Sequence, residues 1–179
     1  MDDSGLKADK PPLAKIKIEI APLAPEEFKE ELERLVELYR EAYRKLGRYG
    51  YRGRSQIRGY LRWLYGLEPE GFLVARTPEG EPVGFIAVCR HWLMDESPAR
   101  EGGEIHELVV GPRWQGQGIG SRLLEAGIEF LAREHELLGL WVGEKNTRAI
   151  EFYKRRGFTE VGKAGPWLRM IKRLSPVPG

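Results

Sequence analysis

Residues 104–158 decide the fold: EIHELVVGPRWQGQGIGSRLLEAGIEFLAREHELLGLWVGEKNTRAIEFYKRRGF. Residues 104–110 have the pattern of a strand, and the glycine-rich segment 115–120 follows where a helix is predicted to begin. Backbone N–H groups in such a turn point outward with no Cβ in the way, and the helix dipole adds positive potential. The segment is therefore predicted to hold a phosphate or pyrophosphate group.

Two known glycine-rich phosphate sites match this segment incompletely. A P-loop ends in Gly-Lys-Ser/Thr, whereas Gly120 is followed by Ser-Arg. A dinucleotide fingerprint needs Gly-x-Gly-x-x-Gly directly after a strand; Gly116 and Gly118 match its first two positions, but Ser121 occupies the third. Glu144, further along the chain, is of the residue type that binds a ribose in that fold. Dinucleotide binding therefore stays open as an alternative.

A third pattern matches along the whole stretch. A predicted strand ends in Leu-Val-Val. It is followed by Gln115, Gly118 and Gly120, and later by Asn146 and the sequence Tyr153-x-x-x-Gly-Phe. This arrangement resembles the GNAT superfamily of N-acetyltransferases, whose signature is Gln/Arg-x-x-Gly-x-Gly/Ala. The resemblance covers residues 16–173. It implies an α/β (α+β) GNAT fold, with a mixed sheet of six to seven strands, about four helices and the order β-α-α-β-β-β-α-β-α-β-β.

The resemblance also implies a donor, acetyl-CoA, and a set of residues that hold it. The cofactor-binding residues it implies are Leu108, Val109, Val110, Gln115, Gly116, Gln117, Gly118, Ile119, Gly120, Ser121, Asn146 and Tyr153. A backbone N–H near Val109 or Val110 is expected to stabilise the oxyanion, because in this family the strand splays from its neighbour. No metal site is predicted.

Acetyl transfer to an amine needs a base, because an amine with a pKa near 10 is about 99.9% protonated at pH 7. Strand alternation predicts Glu104 and His106 on one face and Glu107 on the other. Related enzymes carry a glutamate or paired histidines at the positions of Glu104 and His106, which are therefore the candidate base and its neighbour. Glu107 is held in reserve in case the register is shifted by one. Tyr153 occupies the family's general-acid position, where a phenol protonates the departing sulfur.

Each of these side chains also has a structural interpretation. Glu104 has the alternative interpretation of a residue at a solvated strand end. His106 has that of a hydrogen-bonded histidine in the core, and Tyr153 that of an aromatic residue buried on a short helix beside Phe152.

Composition describes one ordinary globular domain. The chain has 179 residues, 41% hydrophobic and 31% charged, with a net charge of +2. Its single cysteine, Cys89, cannot form an internal disulfide and is predicted to be buried. Asn146 is the only asparagine, and scarce amide side chains with many charges resemble the composition of thermophile proteins. The N-terminus lacks a secretory signal and no run is long enough to span a membrane, so a cytoplasmic location is expected.

The remaining elements follow from periodicity and turn residues. Residues 1–14 are predicted to be disordered, 15–174 to form a single domain and 175–179 to be a short tail. The pattern predicts a strand over 16–20, helices over 25–47 and 55–65, a hairpin of 72–75 and 83–89, and a loop over 91–103. A short helix over 146–156 and strands over 159–162 and 167–173 complete the prediction.

The acceptor is the part least defined by the sequence. An amine of a small molecule or a protein is expected, with the protein acting as a monomer or homodimer. Arginines and tyrosines alternate through 39–65, a composition also compatible with RNA contacts. A non-catalytic acyl-CoA sensor or an RNA-associated binding module on the same fold is the alternative. Solvated helix faces with arginine stems covering apolar surface would explain the same composition.

Overall fold

The computed structural model describes residues 17–93 and 101–174. Their element order is the predicted one. The elements are β1 (Glu19–Pro22), α1 (Pro25–Tyr43), α2 (Arg54–Leu67), β2 (Phe72–Arg76), β3 (Pro82–Leu93), β4 (Glu101–Val110), α3 (Ile119–Leu131), β5 (Leu137–Gly143), α4 (Thr147–Lys154), β6 (Thr159–Ala164) and β7 (Trp167–Arg173).

The strands form one mixed seven-stranded sheet in the order β1-β2-β3-β4-β5-β7-β6. β4 and β5 pair in parallel through the crossover helix α3, and the other neighbouring strands pair antiparallel. The mixed-sheet prediction is thus confirmed. Dinucleotide-binding folds have a mostly parallel sheet, so this topology excludes the alternative drawn from the glycine pattern.

Two apolar clusters cover the two faces of the sheet. One joins α1 and α2 to side chains such as Val74 and Phe85, and the other joins α3 and α4 to neighbours such as Leu73 and Ile86. Successive strand residues point to opposite faces, which is why adjacent residues enter different clusters. Cys89 is buried, as predicted.

Several predicted boundaries move once long-range pairing is present. α1 begins at Pro25 as predicted but ends at Tyr43, and a separate 3-10 turn spans Gly47–Tyr49. The first strand occupies Glu19–Pro22 rather than 16–20. The predicted loop over 91–103 is wrong at both ends, because β3 continues to Leu93 and β4 starts at Glu101, with Trp92 paired to Gly102.

The predictions for residues 1–14 and 175–179 lie outside the described residues, and the domain limits stay predictions. Within the ranges 17–93 and 101–174, every helix is too short or too polar to cross a bilayer.

Candidate active site

The site lies where β4 and β5 separate. Their parallel pairing covers Gly103 to Ile105 opposite Leu138 to Leu140 and ends there, although β4 continues to Val110 and β5 to Gly143. A cavity of about 1330 Å³ opens between the diverging strands. It is lined by the second half of β4, the end of β5, the glycine turn, α4 and the segment between α1 and α2.

The glycine turn forms one end of this cavity. Gly116 and Gly118 have φ values of +77° and +81°, a conformation that favours glycine, and Gly118 is the N-cap of α3. The Gln115 side chain holds the turn by donating to the carbonyl of Val110 at 3.0 Å. The start of α3 therefore presents backbone N–H groups and its positive dipole end to the cavity, as an anion site requires.

Helix α4 and the residues just after it bring two cations to the same end of the cavity. Asn146 is its N-cap and accepts a hydrogen bond from the N–H of Ala149 at 3.3 Å. Arg148 donates to the side-chain oxygen of Gln115 at 2.8 Å, and Arg156 hydrogen-bonds the Ser121 hydroxyl. These two guanidinium groups line the cavity beside the turn, and sequence analysis did not single them out.

Not every residue of the predicted cofactor set reaches the cavity. Leu108, Val109, Val110, Gln115, Gly116, Gly118, Gly120, Ser121, Asn146 and Tyr153 line it. The side chain of Gln117 donates instead to the carbonyl of Arg113 at 2.9 Å, and the side chain of Ile119 is buried in the core.

A bulge in β4 changes which of its side chains face helix α2. Ile105 pairs with Val88 and Glu107 with Ala87, so His106 is the extra residue. His106 packs edge-on against Trp63 of α2, and Glu107 hydrogen-bonds another side chain of the same helix. The predicted alternation that put His106 and Glu107 on opposite faces is therefore wrong, because a bulge lets consecutive residues face the same way.

Glu107 is the reserve candidate that this bulge brings into the cavity. Its carboxylate accepts hydrogen bonds from the hydroxyls of Tyr43 at 2.5 Å and Tyr60 at 3.1 Å. Burial raises the pKa of Glu107 to about 7, although both tyrosines and the N–H of Leu108 act to lower it. The group is thus divided between its protonated and ionised forms near neutral pH, where an acid–base catalyst is most effective.

Glu104 and His106, the first-choice candidates for the base, lie in environments that differ from that of Glu107. Glu104 is 2% exposed and forms a two-point ion pair with Arg169, with N–O distances of 2.6 and 2.8 Å. It is absent from the cavity lining, and burial raises its pKa while the guanidinium opposes that rise. His106 does line the cavity, but burial and then the charge of Arg169 lower its pKa to about 4. A base with that pKa is weak at pH 7.

Tyr153, the predicted general acid, lies in the wall of the cavity. Its ring packs between Phe152 and Phe158, with centroid distances of 5.3 and 5.6 Å, and it lines the cavity. Burial first, and then the negative charge of Glu107, raise the pKa of Tyr153 well above its usual range. The phenol is therefore protonated at neutral pH and can donate.

The segment between α1 and α2 covers the cavity from the other side. The Tyr49 ring lies so close to Gly143 that a Cβ there would come within 2.6 Å of it, and it packs edge-on against Trp167 at 5.3 Å. Its hydroxyl accepts a hydrogen bond from the N–H of Lys145 at 3.1 Å. Tyr49 thus connects the segment between α1 and α2 to β5 and β7, on the far side of the gap between β4 and β5.

Several arginines of the arginine-rich region form ion pairs on the protein surface. Arg54 pairs with Glu33 and Glu37, and Arg58 donates to Glu33 at 2.6 Å. Tyr39, from the same region, is buried in the core. These contacts favour the interpretation as solvated helix faces over an RNA surface.

Comparison with known proteins finds a matching family model and similar sequences. A family model described as the acetyltransferase (GNAT) family matches residues 32–158. An uncharacterized N-acetyltransferase of Methanocaldococcus jannaschii is 42% identical over 147 residues, which are 82% of this chain and 64% of that relative. This chain therefore corresponds to less than two thirds of that relative's length.

Solved structures show the same architecture. The crystal structure of PH1933 from Pyrococcus horikoshii OT3 superposes with a TM-score of 0.80 at 39% identity, covering 89% of this chain and 99% of that one. PaiA N-acetyltransferase from Thermoplasma acidophilum, solved in complex with coenzyme A, superposes with a TM-score of 0.65 at 23% identity, covering 88% and 98%.

Proposed function

This chain belongs to the acetyltransferase (GNAT) family, and we propose that it transfers an acetyl group directly from acetyl-CoA to a primary amine of a small molecule or a protein. The observation that carries the proposal is Glu107, a carboxyl with a pKa of about 7 held by two tyrosine hydroxyls inside the cavity. A protein that only bound acyl-CoA would not need a proton acceptor in this cavity.

The glycine turn and α4 form the donor site. Gly116 and Gly118 leave open space where a Cβ would stand, so a pyrophosphate can approach the backbone N–H groups at the start of α3. Arg148 and Arg156 add positive charge at the same place. The pantetheine arm fits along the free edge of β4, where Val109 and Val110 have left β5. Acetyl-CoA supplies a thioester carbonyl carbon that an amine can attack.

Glu107 acts as the general base in this proposal. It takes a proton from the ammonium group of the acceptor, directly or through one water, so that the amine lone pair can attack. Backbone N–H groups alternate in direction along a strand, so one of Val109 and Val110 directs its N–H into the gap and stabilises the oxyanion. Glu104 then has a supporting role, holding Arg169 beneath the site.

Tyr153 completes proton transfer. When the carbon–sulfur bond breaks, the phenol donates its proton to the leaving sulfur. The nitrogen loses a second proton as it becomes an amide, and that proton restores the phenol, while the proton on Glu107 is released to solvent before the next cycle. Burial keeps this phenol protonated, and Glu107 holds the proton that came from the amine. The two groups therefore begin each cycle in opposite protonation states within one cavity.

Binding and turnover test the proposal separately. Calorimetry on the purified chain should show micromolar binding of acetyl-CoA, with NAD and ATP as controls that do not bind. A panel of amines and N-terminal peptides should then give thiol release that depends on the acceptor. Failure to bind acetyl-CoA, or a salt-dependent RNA complex with no thiol release, would overturn the assignment.

A further inference from the structure

A group of metal-binding side chains lies outside the cavity. His91 is near the end of β3, and Glu134 and His135 lie in the connection between α3 and β5. One ligand atom from each of the three lies within 4.8 Å of the other two. The chain has only three histidines, so two of them meet at this place.

We propose that His91, Glu134 and His135 bind one divalent transition-metal ion. Two imidazoles and one carboxylate are a donor set that suits Zn²⁺, Co²⁺ or Ni²⁺, whereas Mg²⁺ and Ca²⁺ prefer oxygen ligands alone. Ligand atoms of a tetrahedral zinc site stand about 3.4 Å apart. The ligand atoms therefore need to approach one another by up to about 1.4 Å when an ion binds.

The local charge favours a cation. Arg90 donates to Glu68, Glu70 and Glu134 at distances of 2.9, 3.4 and 3.0 Å. In the described part of the chain, these three carboxylates are each paired with that one guanidinium. The three carboxylates and the one guanidinium together carry two net negative charges. A divalent ion bound beside Glu134 would offset them.

His135 carries an unsatisfied nitrogen. Its Nε2 atom is buried and has no hydrogen-bond partner among the described residues. Its backbone is held in place, because its N–H donates to the carbonyl of Leu131 at 3.0 Å. An ion bound by this nitrogen would supply the missing partner, and buried polar atoms in native proteins are rarely left without one.

The site would add a second link between two segments that the Arg90–Glu134 ion pair already joins. None of its three residues is among those that line the acetyl-transfer cavity. A bound ion would tie the end of β3 to the α3–β5 connection, and binding to the folded state alone stabilises that state. The proposal is thus independent of the reaction and concerns stability.

The three histidines provide a direct test. Untagged protein is stripped with EDTA, and imidazole signals are followed by ¹H–¹⁵N correlation spectra while Zn²⁺ is added. Two histidine signals should shift together and saturate at one equivalent, while the signal of His106 stays in place. At a free Zn²⁺ concentration 100 times the dissociation constant, Tm should rise by roughly 5–10 °C.

Single variants assign the ligands. His91→Ala and His135→Ala should each weaken Zn²⁺ binding at least tenfold, with folding checked by circular dichroism. His106→Gln is the matched control and should bind Zn²⁺ like the parent protein. Binding that survives both ligand variants, a shift confined to His106, or the absence of saturable binding in the micromolar range would overturn the proposal.

Discussion

Replacing Glu107 by glutamine should lower activity while raising stability at alkaline pH. Glutamine keeps the shape of the side chain and can still contact the hydroxyls of Tyr43 and Tyr60, but it cannot take a proton. Loss of a general base typically costs on the order of 10²–10⁴-fold in rate. The parent enzyme should show kcat/KM rising through a midpoint near pH 7, the pKa of Glu107, and the variant should lack that rise.

The stability change follows from the same pKa. Folding raises the pKa of Glu107 from 4.5 to about 7, so its contribution to stability is fully present below pH 4.5 and is lost as the pH rises through 7. At 1.36 kcal/mol per pKa unit, the loss between pH 5 and pH 8 is about 2–3 kcal/mol. Glutamine does not titrate. The free energy of unfolding of the variant, minus that of the parent, should therefore increase by that amount between pH 5 and pH 8.

Two measurements test whether Glu107 is a buried base that titrates near pH 7. Chemical denaturation at pH 5 and pH 8 gives the stability difference, and thiol release across pH 5.5–9 gives the rate profile. Glu125→Gln, an exposed carboxylate of α3 outside the cavity, controls for the loss of one charge. A variant that keeps the rise near pH 7, or whose relative stability is the same at both pH values, would refute the argument that Glu107 is a buried, titrating base.

Three further substitutions test the surrounding site. Tyr43→Phe removes a hydrogen bond that lowers the pKa of Glu107, so the midpoint of the rate profile should move to higher pH; an unmoved midpoint would contradict the contact. Tyr153→Phe should lower kcat markedly while calorimetry shows near-unchanged acetyl-CoA affinity, and unchanged kcat would remove it from the acid role. Gly143→Ala places a Cβ within 2.6 Å of the Tyr49 ring, so KM for the amine should rise several-fold with acetyl-CoA affinity retained. Its control is Gly59→Ala, where an added Cβ meets no atom within 4 Å, and an equal effect of both variants would refute the role of the contact.

The sequence was sufficient for the fold because the informative features are local. The glycine turn, the apolar stripe of α3 and the alternating strands each lie within one element, and their order along the chain specifies the topology. Features that depend on two distant elements were missed. Arg169 lies 65 residues from Glu104 in the chain, so nothing near Glu104 indicates that its carboxylate is already paired.

The side chains that β4 directs toward helix α2 depend on a similar long-range feature. Assigning faces to β4 by strict alternation assumes a regular strand, whereas the register shift opposite Ala87 and Val88 makes His106 an extra residue. A bulge arises from how two strands pair, and the sequence of one strand does not reveal it. Glu107 was kept in reserve for a register error of one residue, and a register shift does occur here; its role as the base stays a prediction.

Glu107 and the segment between α1 and α2 also form one connected unit. Tyr43 ends α1 and Tyr60 lies in α2, so residues 44–53 run between the two tyrosines that hold Glu107. Gly50 packs so closely on the Tyr43 ring that a Cβ there would overlap it. An acceptor that displaces this segment would weaken the hydrogen bonds, and because these bonds lower the pKa of Glu107, its pKa would rise. Amines that fit beneath the segment should therefore react with a midpoint near pH 7, and poorly fitting amines with a midpoint at higher pH.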